Sequence, residues 1–310
     1  MPPRPKNAVP TATNGATPRL EVRKTYKLYI DGAFPRTESG RSYEVRAVDG
    51  MLLANASRGS RKDVRDAVRA ARKATDGWAG KTAMVRGQVL YRVAELMEGR
   101  RAQFFGEVAQ AEGIDTPSAR DSVTRAVDRW VWYAGWADKI AQVLGSSNPV
   151  AAPYFNFTIP EPTGVVGIVA PESSSLLGLV SRLAPALVTG NSVVVIASEK
   201  RPLPAITLAE VLATSDVPPG VVNIVTGLKK ELIPILAGHD DVDAIDLWGV
   251  PDAMREEAES LAADDVKRIA RRPRSVADER FDWTDDRAAQ RPEWIAAFLE
   301  MKTVWHPIGV

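Results

Sequence analysis

Between residues 165 and 248 the chain carries four short, largely apolar runs, separated by stretches long enough for a helix. The runs cover 165–170, 192–197, 221–225 and 242–248, and helical spacing fills 176–188, 205–213 and 230–236. A strand that is apolar at successive positions has both faces covered, which is the condition inside a parallel sheet. Parallel neighbours need right-handed crossovers, and these put helices on both faces. The pattern therefore predicts a doubly wound α/β domain. With 310 residues, 45% of them hydrophobic, the chain can bury a core of that size.

The segment before this alternation reads differently. Residues 27–32 form a short extended piece closing on an Asp31-Gly32 turn, with further extended pieces up to Asn55. Ser60-Arg61-Lys62-Asp63 resembles a capping box, and Val64, Ala67, Val68 and Ala71 follow at helical spacing. Val85, Val89, Leu90, Val93, Leu96 and Met97 mark a second helix stopping near Gly99, and Phe104, Phe105 and Val108 a third. A fourth, longer helix carries Val123, Val127, Trp130, Val131, Ala134 and Ala137 as one stripe. Its aromatics, Trp130, Trp132, Tyr133 and Trp136, suit core and interface filling better than a base-stacking platform. Residues 155–159 form a strand stopped by Pro160 and Pro162.

Both ends depart from this regularity. Residues 1–25, with Pro2, Pro3, Pro5, Pro10 and Pro18, read as a disordered arm lacking the apolar stretch of a secretory signal. Residues 254–270 are charged and helical in pattern, with a solvated face, and 274–290 read as a mobile charged connector. The last piece, 294–310, turns apolar again through Ile295, Phe298, Leu299, Val304 and Trp305. Such a tail needs a surface to cover it.

Composition removes several classes of function. Forty basic and 39 acidic residues leave a net charge of +1, which gives no electrostatic reason for a nucleic-acid or membrane partner. No apolar run reaches the roughly 20 residues needed to span a bilayer, and a cytoplasmic protein is expected. The chain has no Cys, which excludes a cysteine nucleophile and thiolate metal ligands within it. Its two histidines, His239 and His306, lie far apart, so no metal site is expected.

One resemblance draws these segments together. Glu161-Pro162-Thr163-Gly164-Val165-Val166-Gly167-Ile168-Val169-Ala170-Pro171 resembles the first cofactor-domain strand and loop of the aldehyde dehydrogenase superfamily. In order follow Leu183-Ala184-Pro185-Ala186-Leu187, then Gly190-Asn191-Ser192-Val193-Val194-Val195 with Ser198-Glu199, then Pro218-Pro219-Gly220-Val221-Val222-Asn223-Ile224-Val225-Thr226-Gly227. The resemblance runs from about residue 26 to 269. It implies a Rossmann-like cofactor domain over 26–250 with an N-terminal helical layer and oligomerisation strands near 150–162. A charged helix and connector over 251–293 and an oligomerisation tail over 294–310 follow.

The departures from the family pattern shape the functional expectation. Where the family has P-W-N, whose Asn supplies an oxyanion donor typically worth about 3 kcal/mol, this chain has Pro171-Glu172-Ser173. Where it has K-P-S-E, with a ribose-binding Lys, this chain has Ile196-Ala197-Ser198-Glu199. The F-T-G-S turn reads Leu247-Trp248-Gly249-Val250, and the indole is expected either to fill cofactor space or to pack against an adjoining surface. The general-base segment does not follow Ile269, and the Cys-bearing catalytic domain is missing from the pattern. Aldehyde oxidation in this family needs both groups.

The resemblance leaves Ile168, Ala170, Ser173, Glu199 and Gly249 as residual cofactor-binding positions, with no catalytic residue, no cofactor expected and NAD(P) binding weakened. Glu172 reads as an ordinary loop carboxylate beside a helix start, and Ser173, Ser174 and Ser175 either cap the helix or hold an anion. Residues 298–305 resemble the family's C-terminal oligomerisation strand. Trp130, Phe298, Val304 and Trp305 are accordingly expected at an interface with a full-length aldehyde dehydrogenase, in a hetero-oligomer where this chain is a non-catalytic subunit. An NAD(P)-binding oxidoreductase subunit active only in a complex, and a stand-alone small-ligand module, are the alternatives.

Overall fold

Asp31 and Gly32 both take positive φ, 51° and 74°, and Ile30 and Ala33 exchange both backbone hydrogen bonds across them. That is the two-residue turn whose twist suits a hairpin, and it lays Tyr29 against Ile224 at the edge of the main sheet. The computed structural model describes residues 24–273 and 276–309. Residues 1–23 of the expected arm lie outside these. An antiparallel pair, β1 (Ser42–Arg46) and β2 (Leu52–Ser57), precedes helix α1 (Arg61–Ala79). The capping box is present: Ser60 Oγ accepts from Asp63 N–H, and Ser60 N–H donates to Asp63 at 2.7 Å. Asp63 also accepts from the Thr37 hydroxyl at 2.6 Å, fixing the chain ahead of β1 onto α1.

Helices α2 (Ala83–Gly99), α3 (Arg101–Glu112) and α4 (Thr116–Ala134) form the expected layer. On α4 the buried face is Ala119, Val123, Ala126, Val127, Trp130 and Tyr133, while Val131 is exposed. Trp130 is wholly buried within this layer, which corrects its assignment to an interface. A four-residue spacing from Ala126 places it on the packed face, so the indole contacts the chain's own core.

After α5 (Ile140–Leu144) and β3 (Ser146–Asn148) comes β4 (Tyr154–Pro162). The prolines do not stop β4. Strand β3 covers only Asn156–Thr158 of it, so Pro160 and Pro162 face a partner strand on one side alone.

The alternating half then runs β5 (Val165–Val169), α6 (Leu177–Val188), β6 (Ser192–Ile196), α7 (Leu203–Thr214), β7 (Val222–Val225), α8 (Lys229–Ala237), β8 (Ala244–Asp246), α9 (Asp252–Asp264) and β9 (Arg268–Ala270). All five strands are parallel, in the order β7-β6-β5-β8-β9. Apolar side chains of α6, α7 and the α2–α4 layer cover one face, and those of α1, α8 and α9 cover the other. Strand β9 replaces the end of the helix expected through residue 270. The chain reverses at Val266, φ 55°, and residues 268–270 pair with the free edge of β8. The charged face expected to be solvated is partly buried too, since Arg272 reaches Asp252 at 2.6 Å and Lys267 reaches Asp265 at 2.6 Å.

Within the connector expected to be mobile, the described residues 276–290 are docked. Asp278, Trp283 and Ala289 are buried, and α10 (Asp286–Ala289) and α11 (Pro292–Ala296) lead into β10 (Leu299–Pro307). Aromatic Phe281 and Trp283, set among charges, supply the apolar area that anchors it. Strand β10 pairs antiparallel with β4 at nine positions, from Leu299↔Pro162 to Pro307↔Tyr154. The apolar tail thus finds its first cover within its own chain. Phe298 is wholly buried, correcting its assignment to an interface, whereas Val304 is half-buried and Trp305 stands 57% exposed. Among the described residues, no helix is long and apolar enough to cross a membrane, and no cluster of three potential metal ligands occurs.

Buried Asn191 ties this arrangement together. It accepts from Gly164 N–H at 2.8 Å and donates to Phe298 O at 2.8 Å, linking the starts of β5 and β6 to the tail. Asn191→Ala leaves the Gly164 N–H unsatisfied and the Phe298 carbonyl with only the Thr163 N–H at 3.4 Å, and a loss of about 2 kcal/mol is expected. Thermal unfolding should show this as a melting temperature lower by roughly 5 °C.

Candidate functional site

In a doubly wound sheet, ligands bind beyond the carboxyl ends of the strands, where the strand order reverses. Here the order reverses at β5, with β6 on one side and β8 on the other. The loops after β5, β6, β7 and β8 bring Glu172, Glu199, Lys229 and Gly249 around a cavity of about 280 Å³, which Arg272 and Asp278 also line. Of the residues expected at this site, Ala170, Ser173, Glu199 and Gly249 gather here. Ile168 does not, because its side chain is buried in the core of the sheet.

The centre of the crevice is taken by an ion pair. Lys229 Nζ lies 2.5 Å from Glu172 Oε1, with only 3% of the lysine side chain exposed. The same ammonium donates to the carbonyls of Ala170 and Gly249, each at 2.8 Å. Gly249 has to be glycine, since a Cβ there would overlap the Ala170 carbonyl. Glu172 in turn accepts from the Ser198 hydroxyl at 2.6 Å and from Glu199 N–H at 2.8 Å. Glu199 is also engaged, accepting Lys229 N–H at 2.6 Å. Burial alone would raise the Glu172 carboxyl, but Lys229 and these hydrogen bonds outweigh it and hold the group below its ordinary 4.5.

Beside the pair, the loop 171–175 is clamped by two carboxylates from elsewhere in the chain. Asp278 Oδ2 accepts from Glu172 N–H at 2.8 Å and Ser173 N–H at 3.1 Å, and Oδ1 accepts from the Ser173 hydroxyl at 3.0 Å. Glu112 accepts both Ser175 N–H and its hydroxyl at 2.7 Å. Burial pushes the Glu112 carboxyl up, against the Ser175 hydrogen bonds. Trp248 neither stands open to solvent nor fills the crevice alone. It is buried, donates Nε1–H to Asp278 at 3.2 Å, and meets Phe281, Trp283 and Trp294 with ring centroids 4.8, 5.2 and 5.6 Å away.

The profile of the aldehyde dehydrogenase family matches residues 36–271. The chain belongs to the aldehyde dehydrogenase family. DhaS of Bacillus subtilis is 34% identical over 267 residues, covering 83% of this chain and 52% of that protein. Human retinal dehydrogenase 2 is 31% identical, with 82% and 49% covered. Among solved structures, HpcC from Thermus thermophilus superposes with a TM-score of 0.76 at 31% identity, covering 80% of this chain and 48% of that one. An NAD+ complex of an aldehyde dehydrogenase from Bacillus cereus gives the same TM-score at 27% identity, with 80% and 50% covered. The chain thus spans about half the length of the curated relatives it matches.

These aldehyde dehydrogenase neighbours lend no support to the expectation that no cofactor is involved, so the fit of a dinucleotide rests on the crevice itself. The loop amides that face it are already used: Glu172 and Ser173 on Asp278, Glu199 on Glu172, and Lys229 on Glu199. A pyrophosphate would meet Glu172, Glu199 and Asp278 with no free amide among these to receive it. As arranged, these amides are committed within the chain, and Lys200 and Arg272 are the other cations that line the cavity. Sequence reasoning treated Glu172 as an ordinary loop carboxylate and passed over Lys229 and Asp278. Lys229-Lys230-Glu231 looks like any solvated helix start, and Asp278 sits inside a charged run.

Removing Glu172 strands a buried ammonium. Glu172→Ala is expected to cost about 3 kcal/mol, a melting temperature lower by roughly 5–10 °C, with Glu172→Gln milder. The pH dependence follows from the depressed carboxyl: the pair's stabilisation is present above the unfolded value near 4.5 and is lost as pH falls through the lower folded value. Melting curves across that acid range should therefore fall more steeply for the native chain than for Glu172→Gln.

Proposed function

We propose that this chain is a non-catalytic aldehyde dehydrogenase-like subunit that assembles with a full-length aldehyde dehydrogenase and stabilises or regulates it. The observation that carries the reading is the three-stranded sheet β10-β4-β3, in which β10 is an edge strand nine residues long. Tyr154, Phe155, Ile159, Met301, Trp305 and Ile308, all on or beside this sheet, are exposed. A nine-residue edge strand that exposes Met301 and Trp305 is a template for strand addition. Two further observations support the non-catalytic half. No cysteine occurs in the 310 residues, so no thiolate within them can attack an aldehyde. In the crevice where a cofactor would lie, Glu172 and Lys229 are paired with each other.

Native mass spectrometry of the chain co-expressed with a full-length aldehyde dehydrogenase should reveal a mixed complex. Met301→Glu with Trp305→Glu, both on exposed positions of β10, should abolish it without unfolding the chain. A chain that stays monomeric, or joins only copies of itself, in the presence of that enzyme sinks the reading.

The 280 Å³ cavity at the strand ends supports a second reading, a subunit that binds NAD(P) after local rearrangement and contributes oxidoreductase activity within a complex. Calorimetry decides between them. The first reading expects no heat with millimolar-range NAD+, whereas saturable heat would favour the second.

A further inference from the structure

The contacts around Asp278 make a receptor rather than a chance set of hydrogen bonds. Four donors meet one carboxylate, two on each oxygen: the N–H groups of Glu172 and Ser173 on Oδ2, and the Ser173 hydroxyl and Trp248 Nε1–H on Oδ1. Three of the four donors are held from behind. Arg201 binds the Glu172 carbonyl at 3.0 Å, fixing the peptide plane that aims the Ser173 amide, and reaches the Ser173 carbonyl at 3.4 Å. Trp283 Nε1–H donates to Ser173 Oγ at 2.9 Å, so that hydroxyl has its own proton left to give to Asp278. Trp248 is locked among Phe281, Trp283 and Trp294. Among the described residues, no Lys or Arg is paired with Asp278.

The geometry points to a pocket for a small monocarboxylate, formed by the Glu172 and Ser173 amides, the Ser173 hydroxyl and the Trp248 indole, which Asp278 occupies as a ligand supplied by the same chain. Two donors per oxygen match a planar carboxylate. Four neutral donors without a paired cation suit a single negative charge better than a phosphate dianion. The four donors sit on the loop leading into α6 and on the loop after β8, elements that do not include residue 278, and removing the Asp278 carboxylate leaves Phe281, Trp283 and Trp294 to back them. This inference does not depend on any assembly with another enzyme, and its test uses the chain alone.

Asp278→Ala empties the pocket while keeping all four donors. The variant should melt roughly 5 °C lower than the native chain. Sodium formate or acetate should recover a large part of that loss, since a ligand that binds only the folded state raises its stability by mass action. Sodium chloride at equal ionic strength should not, and neither should formate act on the native chain or on Asp278→Asn, whose pockets are full. Should Asp278→Ala fail to fold in plain buffer, its refolding yield from denaturant, in formate against chloride, reads the same event. Recovery specific to the carboxylates and to Asp278→Ala supports the pocket. Equal effects of formate and chloride, or equal effects on all three proteins, overturn it.

Discussion

The buried pair of Arg182 on α6 and Asp246 on β8 is the contact on which the C-terminal half of this molecule depends. The two groups meet at 2.5 Å, with 3% and 0% of their side chains exposed. An ion pair so far from water contributes little net stability over an apolar pair, but it is intolerant of losing either partner, and so it specifies position. Asp246 also takes the Trp248 N–H at 2.9 Å, while the Arg182 guanidinium lies over the rings of Trp248, Trp294 and Phe298 at 5.2, 4.3 and 5.9 Å. One charge therefore registers a helix, a strand, the loop beyond that strand and the segment leading into β10.

That registration explains why a doubly wound sheet ends in a crevice whose polar groups are already paired. The loop after β8 brings Trp248 against Phe281 and Trp283, and the segment they belong to delivers Asp278 onto the loop after β5. From the other side, α8 begins with Lys229 turned inward to Glu172. The fold is that of the aldehyde dehydrogenase structures it superposes on, and here the polar groups at the strand ends answer one another. A shared fold does not by itself fix what such a site does.

The sheet was legible because its signal is local and repeated. Residues 165–170 and 192–197 are apolar at nearly every position, and Ser60 with Asp63 announces α1 through a reciprocal hydrogen bond three residues apart. What the sequence concealed depends on partners distant in the chain. Residues 268–270 look helical until the free edge of β8 is available, and Trp130 looks like interface until the α2–α4 layer closes round it. The site was the least legible part. Glu172 and Lys229 lie in separate loops, and Asp278 in a charged stretch, so nothing in spacing or periodicity brings the three together. The aromatic residues Phe281 and Trp283 were the available clue, because two large rings in a charged connector imply a surface that receives them.

The pairing of β10 with β4 has a consequence for how the chain matures. Thr158 and Thr303, neighbours across that ladder, are 145 residues apart in sequence. Contacts so remote form late, after the intervening loop has been closed by the parallel sheet. During synthesis β4 therefore emerges long before its partner and waits with one long side unoccupied. Pro160 and Pro162, the two residues that seemed to forbid a strand, do not face that side: Thr163 N–H points to Phe298 O, so the missing N–H groups of 160 and 162 fall on the opposite side, beyond the end of β3. There they blunt the stretch of β4 that stays open even after β10 has paired.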